Sequence, residues 1–171
     1  MNLLERLDTH SDIAARFARV LLVDPLQYGV QKISPAILDN PRYRFVPGSI
    51  YDPAVTDEVI GAGDVVIHLA AEVNTFTAPQ ATSSDDPPGY LQRLADKTIG
   101  RLLFLSSADV YGINDSPDLQ ESDPIRPTTV YAAAKAAFEA YLSAFYALRG
   151  LQVLFKVGVT QGDRMVGGVC G

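Results

Sequence analysis

Four short apolar runs punctuate the chain at wide intervals, and none alternates strictly between apolar and polar positions. They are Arg19-Val-Leu-Leu-Val-Asp24, Asp64-Val-Val-Ile-His-Leu69, Arg101-Leu-Leu-Phe-Leu-Ser106 and Gln152-Val-Leu-Phe-Lys-Val157. Runs of this kind predict strands buried on both faces. A fifth, Tyr43-Arg-Phe-Val-Pro47, alternates and ends in proline, which predicts a strand near a sheet edge. Between the runs, Thr128 to Arg149 predicts a long helix, with Ala133, Ala137, Tyr141 and Ala144 at helical spacing and Gly150 as its stop. A second helix is predicted from Asp52-Pro53, where Asp52 can cap free N–H groups, Pro53 fits the first position, and Val55, Val59 and Ile60 share a face. Leu3, Leu4, Leu7, Ile13 and Phe17 predict an opening helix or helix pair, and Thr75 to Gly89 is the most loop-like stretch. Strands alternating with helices predict an α/β fold with a mainly parallel sheet, because parallel neighbours need crossover connections.

At 171 residues, 47% hydrophobic and 20% charged, the chain is long enough to bury one substantial core, and it shows neither an internal repeat nor a second domain. A net charge of -6 with scattered Lys and Arg argues against a nucleic-acid partner. Cys170 stands alone, so no internal disulfide forms, and His10 and His68 make no metal cluster. The first residues carry charge too early for a signal peptide and no apolar run is long enough to span a membrane, so a cytoplasmic protein without a membrane partner is expected.

Tyr131 and Lys135 stand four residues apart, on one face of the predicted long helix. A phenol titrating near pH ~10 is a poor base at neutral pH, but an adjacent cation favours its phenolate form. Ser107, at the carboxyl end of a predicted parallel strand, stands where α/β sheets hold ligands, and its hydroxyl can hydrogen-bond a reacting oxygen. Taken alone, Tyr-x-x-x-Lys is also what a core tyrosine and a solvated lysine on an alanine-rich helix would give.

The combination is more specific. Ser107-Ala-Asp-Val-Tyr-Gly112 ends a predicted strand 24 residues before Tyr131, Glu121-Ser-Asp-Pro-Ile-Arg-Pro-Thr128 follows it, and Tyr131-Ala-Ala-Ala-Lys135 comes next. From about Asn2 to about Gly168 the chain resembles the NAD-dependent epimerase/dehydratase family of extended short-chain dehydrogenase/reductases. The resemblance implies a Rossmann-like sheet, with Tyr131 as catalytic acid/base, Lys135 as its electrostatic partner and cofactor-ribose contact, and Ser107 as the substrate hydrogen-bonder. Gly63-Asp-Val-Val-Ile-His-Leu-Ala-Ala71 is similar to the family's fourth strand and following loop, which implies that Leu69, Ala70 and Ala71 lie beside the dinucleotide. Asp24 is implied as the carboxylate on the adenosine ribose, favouring NAD over NADP, although Asp24-Pro25 also fits an ordinary strand-ending turn.

Relative to the family the chain is expected to be truncated at both ends. It starts at Met1-Asn-Leu-Leu-Glu-Arg-Leu7 inside the first helix, without the first strand and the glycine-rich loop that anchors the pyrophosphate, and it stops before the substrate-binding C-terminal region. Neither Gly61-Ala-Gly63 nor the segment from Gly158 to Gly171 replaces that loop. The missing strand would leave inner edges unpaired beside the strands ending at Asp24 and Leu69, so a homodimer or a strand-donating partner is expected. The family's dehydratases tend to carry Thr-Asp-Glu where this chain has Ser107-Ala108-Asp109, which favours an epimerase or reductase; Asp109 itself suits a second acid or a solvated surface group. The expected activity is hydride transfer between NAD and a hydroxyl of a nucleotide sugar or similar small molecule. The alternatives are a non-catalytic binding or interaction module and an inactive gene fragment.

Overall fold

The computed structural model describes residues 16–26, 35–70, 86–113 and 119–158. Five strands stand at the five predicted places: β1 Val20–Asp24, β2 Tyr43–Pro47, β3 Val65–His68, β4 Arg101–Ser107 and β5 Val153–Gly158. The helices are α1 Pro35–Leu38, α2 Pro53–Val59, α3 Pro87–Asp96 and α4 Val130–Arg149, with a 3-10 turn over Ala108–Tyr111. Every strand pairing is parallel, as the alternation of strands and helices requires. Of the opening helix or helix pair expected from Leu3 to Phe17, the part up to Ala15 lies outside the described residues and Phe17 is not helical; Ala71, the first part of the loop from Thr75, and Cys170 also lie outside the described residues.

The chain divides into two compact units, Met1–Val55 and Thr56–Gly171. In the first, β1 and β2 pair in register from Val20↔Tyr43 to Asp24↔Pro47. Pro47 thus falls on the last rung, where its missing N–H is best tolerated. Ile37 of the unanticipated helix α1 is buried, as are Tyr43 and Val46 of β2. Asp52 caps α2 as expected, its Oδ1 accepting the Ala54 N–H at 2.9 Å.

In the second unit the order is β3-β4-β5, with Ile67↔Leu103 and Leu103↔Leu154 in register. One side of this sheet is packed. Leu102 and Phe104 of β4, Tyr90, Leu91 and Leu94 of α3, and Ala132, Phe138 and Leu142 of α4 are all buried. Each of the larger apolar side chains contributes about 1.5–3 kcal/mol by leaving water.

Two expectations are corrected, and the faces of one helix are assigned. The strands are not buried on both faces: Val65 is 40%, Ile67 39% and Leu105 38% exposed, and among the described residues α3 and α4 pack on the side that carries His68, Leu102 and Phe104. The face of α4 marked by Ala133, Ala137, Tyr141 and Ala144 turns outward, and Ala132, Lys135, Phe138 and Leu142 turn inward. Phenyl and isobutyl groups displace more water than methyl groups, so they decide the rotation of an alanine-rich helix. Finally, the loop expected through Gly89 ends at Asp86, whose carboxylate accepts the Gly89 N–H at 3.0 Å and caps α3. Pro87 and Pro88 open that helix, in the turn where a missing N–H costs nothing.

His68 is the polar member of this core. Its ring lies 4.7 Å from that of Phe138, 5.5 Å from Phe104 and 5.6 Å from Tyr90, and Nδ1 is buried without a hydrogen-bond partner. Burial, then the charge of Lys135, push its pKa down to about 4 against a weaker opposing hydrogen bond with the Ala70 backbone. The folded state therefore holds the ring neutral while the unfolded chain protonates it near 6.5. Its contribution is complete above that pH and is lost as pH falls through the folded value, by about 3 kcal/mol in all. Denaturant melts of wild type and His68→Phe should accordingly differ by a constant amount above pH 7, and the wild type should lose about 3 kcal/mol relative to the variant toward pH 4; a pH-independent difference would mean that the ring has the same pKa in the folded and unfolded chain.

Candidate active site at the carboxyl end of the sheet

Strand β4 ends at Ser107, whose extended backbone (φ -138°, ψ 146°) hands the chain to the 3-10 turn. Its Oγ accepts the Asp109 N–H at 3.3 Å, which leaves the hydroxyl hydrogen free to donate elsewhere. The turn closes on Gly112 at φ +66°, with the Gly112 N–H on Asp109 O at 3.0 Å. The returning segment locks onto it through the Arg126 N–H and Val110 O, 2.9 Å apart. It then enters α4, where Thr129 Oγ1 accepts the Ala132 N–H at 3.1 Å. The cap fixes where Tyr131 and Lys135 begin to project.

Tyr131 is half-buried, and Lys135 is only 6% exposed. The reading of Lys135 as a solvated surface residue is thereby excluded. Its Nζ donates to Leu105 O at 2.8 Å, sits 4.7 Å over the Phe104 ring and lies 5.9 Å from the centroid of the Tyr131 ring. Burial lowers its pKa, and the Glu139 carboxylate one turn along α4 opposes that. Glu139 is itself pushed up by burial, while its hydrogen bond from Ser106 Oγ and the charge of Lys135 pull it back. Tyr111 is raised by burial and by the negative charges of Glu139, Glu121 and Asp123.

Leu69 and Ala70 follow β3 directly and are exposed; since His68 pairs with Phe104, they stand at the same end of the sheet as Ser107. Asp24 ends β1 in the other unit and is exposed. Its Oδ1 accepts the Leu26 N–H at 2.7 Å and its carbonyl the Gly48 N–H at 3.1 Å. The strand-ending turn foreseen for Asp24-Pro25 is therefore real, with Leu26 held at φ 60°. Sequence reasoning overlooked Ser106, His68, Tyr111 and Glu139. Only Glu139 carried a signal, since Tyr131, Lys135 and Glu139 recur every four residues on one helical face. Among the described residues no group of three or more His, Cys, Asp or Glu is arranged to hold a metal, and no helix is long and apolar enough to cross a membrane.

Residues 2–156 match the NAD dependent epimerase/dehydratase family, and the chain belongs to it. It is 31% identical over 144 residues to a dTDP-glucose 4,6-dehydratase of Streptomyces niveus, covering 80% of this chain and 43% of that protein. A D-erythronate dehydrogenase of Cupriavidus necator is 33% identical over 127 residues, 69% of this chain and 38% of the relative. Among solved structures, the DesIV dTDP-glucose 4,6-dehydratase of Streptomyces venezuelae with NAD and TYD bound superimposes with a TM-score of 0.79 at 28% identity, over 90% of this chain and 50% of that one. The chain thus spans less than half the length of the curated relatives it matches. The fold is the Rossmann-like one of these dehydratases and epimerases.

The family's cofactor can be tested against the site. A lysine ammonium has three N–H donors, and Leu105 O takes one from Lys135, so donors remain for a ribose hydroxyl. Leu69 and Ala70 are exposed at the strand ends where this fold binds dinucleotides. The described residues fit the nicotinamide-ribose side of NAD; they contain no glycine-rich strand-to-helix loop.

Gly112 sets the shape of this end of the sheet, because a Cβ there would lie 2.0 Å from Arg126 O. Gly112→Ala must displace backbone and also adopt a positive φ, and strain of that kind costs about 1–3 kcal/mol. We expect its thermal midpoint to drop by several degrees, with a larger loss of ligand binding than the stability change explains; an unshifted midpoint would show that the 121–128 segment is not held as described.

Proposed function

We propose that the chain is an NAD-dependent oxidoreductase of the epimerase/dehydratase type, acting on a hydroxyl of a nucleotide sugar or a similar small molecule. One observation carries the reading: a buried ammonium, Lys135 Nζ, lies 5.9 Å from the Tyr131 ring on the helix that runs past the carboxyl end of β4. Burying a lysine is costly, and the arrangement is economical only if its charge is used. The NAD dehydratase and epimerase relatives support the cofactor and the substrate class.

Tyr131, as phenolate, is the residue that accepts the substrate hydroxyl proton and becomes the phenol, and Lys135 stabilises the phenolate by charge before the transfer. Ser107, whose oxygen already accepts the Asp109 N–H, donates its hydrogen to the substrate oxygen and holds it toward Tyr131. NAD, when bound, supplies the hydride acceptor. Lys135 and Tyr131 would hold its nicotinamide ribose and the backbone of Leu69 and Ala70 would line it; taken by itself, Asp24 is the carboxylate proposed for an adenosine ribose, by exchanging or sharing its Leu26 contact. The dehydratase relatives suggest a subsequent elimination, whereas Ala108 and Asp109 favour an epimerase or reductase outcome. The hydride transfer between NAD and a carbinol carbon, in one direction or the other, is common to all three and is the step we assign.

Calorimetric titration with NAD should give saturable micromolar binding, and incubation with sugar nucleotides such as dTDP-glucose should give turnover. Tyr131→Phe should reduce that turnover by about 10²–10⁴-fold with a much smaller loss of NAD affinity, since Lys135 still holds the ribose. No binding at millimolar NAD would defeat the proposal, and binding without turnover would favour a non-catalytic module.

A further inference from the structure

Two consecutive residues of β4 meet the polar face of α4. Leu105 O accepts from Lys135 Nζ, Ser106 Oγ donates to Glu139 Oε1, and Ser107 closes the strand. Tyr131, Lys135 and Glu139 follow one another at four-residue spacing, so one stripe of the helix is read by one stretch of strand. A carbonyl offers the ammonium only a dipole, and a cation removed from water needs an opposite charge. The groups facing it are Tyr131 and Glu139 on α4, His68 on β3, and the Phe104 ring on β4, with Tyr111 of the 3-10 turn beside Glu139. His68 is neutral at neutral pH, leaving Glu139 as the carboxylate that favours the charged lysine.

We propose that Glu139, held by the Ser106 hydroxyl, is a positioning residue that supplies the buried counter-charge for Lys135 and so keeps its ammonium charged beside Tyr131. The assignment rests on the reading of Lys135 as the electrostatic partner of Tyr131. It also explains why a serine interrupts the buried side of an otherwise apolar strand: Ser106 is 4% exposed and is used to orient the carboxylate.

The test is site-resolved NMR titration of the full chain. In Glu139→Gln the Lys135 amine should titrate about one pH unit lower than in wild type, and Glu139→Asp should recover most of the shift. Ser106→Ala should raise the titration midpoint of the Glu139 carboxyl, since it removes a hydrogen bond to the charged form. An unmoved Lys135 midpoint in Glu139→Gln overturns the proposal; should that variant not fold, an unmoved Glu139 midpoint in Ser106→Ala does so. In turnover assays, the alkaline limb of the kcat profile of Glu139→Gln should move to lower pH with KM unchanged. A moved Lys135 midpoint in a chain that turns over no sugar nucleotide would support the counter-charge while removing the oxidoreductase reading.

Discussion

The burial of one ammonium organises the larger unit of this chain. Lys135 is removed from water between the end of β4 and the first turns of α4, and a cation there is tolerable only while a carbonyl, an aromatic face and a carboxylate stay in place around it. Each of those partners comes from a different feature of the fold. The carbonyl needs β4 in its register between β3 and β5, and the Phe104 ring needs the Phe138 ring stacked 4.6 Å away. The carboxylate needs Ser106 turned toward the helix. The site and the core are therefore the same set of contacts, and a substitution in one will be felt in the other.

Local backbone chemistry aims this set. Thr129 fixes the start of α4, Ser107 starts the 3-10 turn, and Gly112 lets the Arg126 backbone close against it. Of these, only Ser107 is proposed to touch a reacting group. They determine the rotation at which Tyr131 and Lys135 leave the helix, and catalytic geometry is intolerant of small displacements.

Strand positions were legible because a short apolar run bounded by turn residues has few other uses in a chain of this size. The ends fell within one or two residues of the observed ones, as at Val20–Asp24 against a run beginning at Arg19. Burial was less legible, because it depends on what covers a strand. The β-branched residues Val65 and Ile67 look the same in sequence whether one face or both are packed. On α4 the alanines lie on several sides and carry little directional information, so the larger Phe138 and Leu142 were the true guides. Ser107, Tyr131 and Lys135 were visible through spacing and family resemblance. Ser106 and Glu139 join strand and helix across 33 residues, and one-dimensional pattern does not display such a pairing.

The half-exposed row on β3 and β4 has a thermodynamic consequence. Val65, Ile67 and Leu105 already keep about two-fifths of their surface in water in the folded chain. Apolar surface that is wet before unfolding adds nothing to the heat-capacity increment, which comes from newly hydrated groups. These three side chains accordingly add less to the curvature of the stability curve and to the steepness of the denaturant transition than fully buried residues of the same type would.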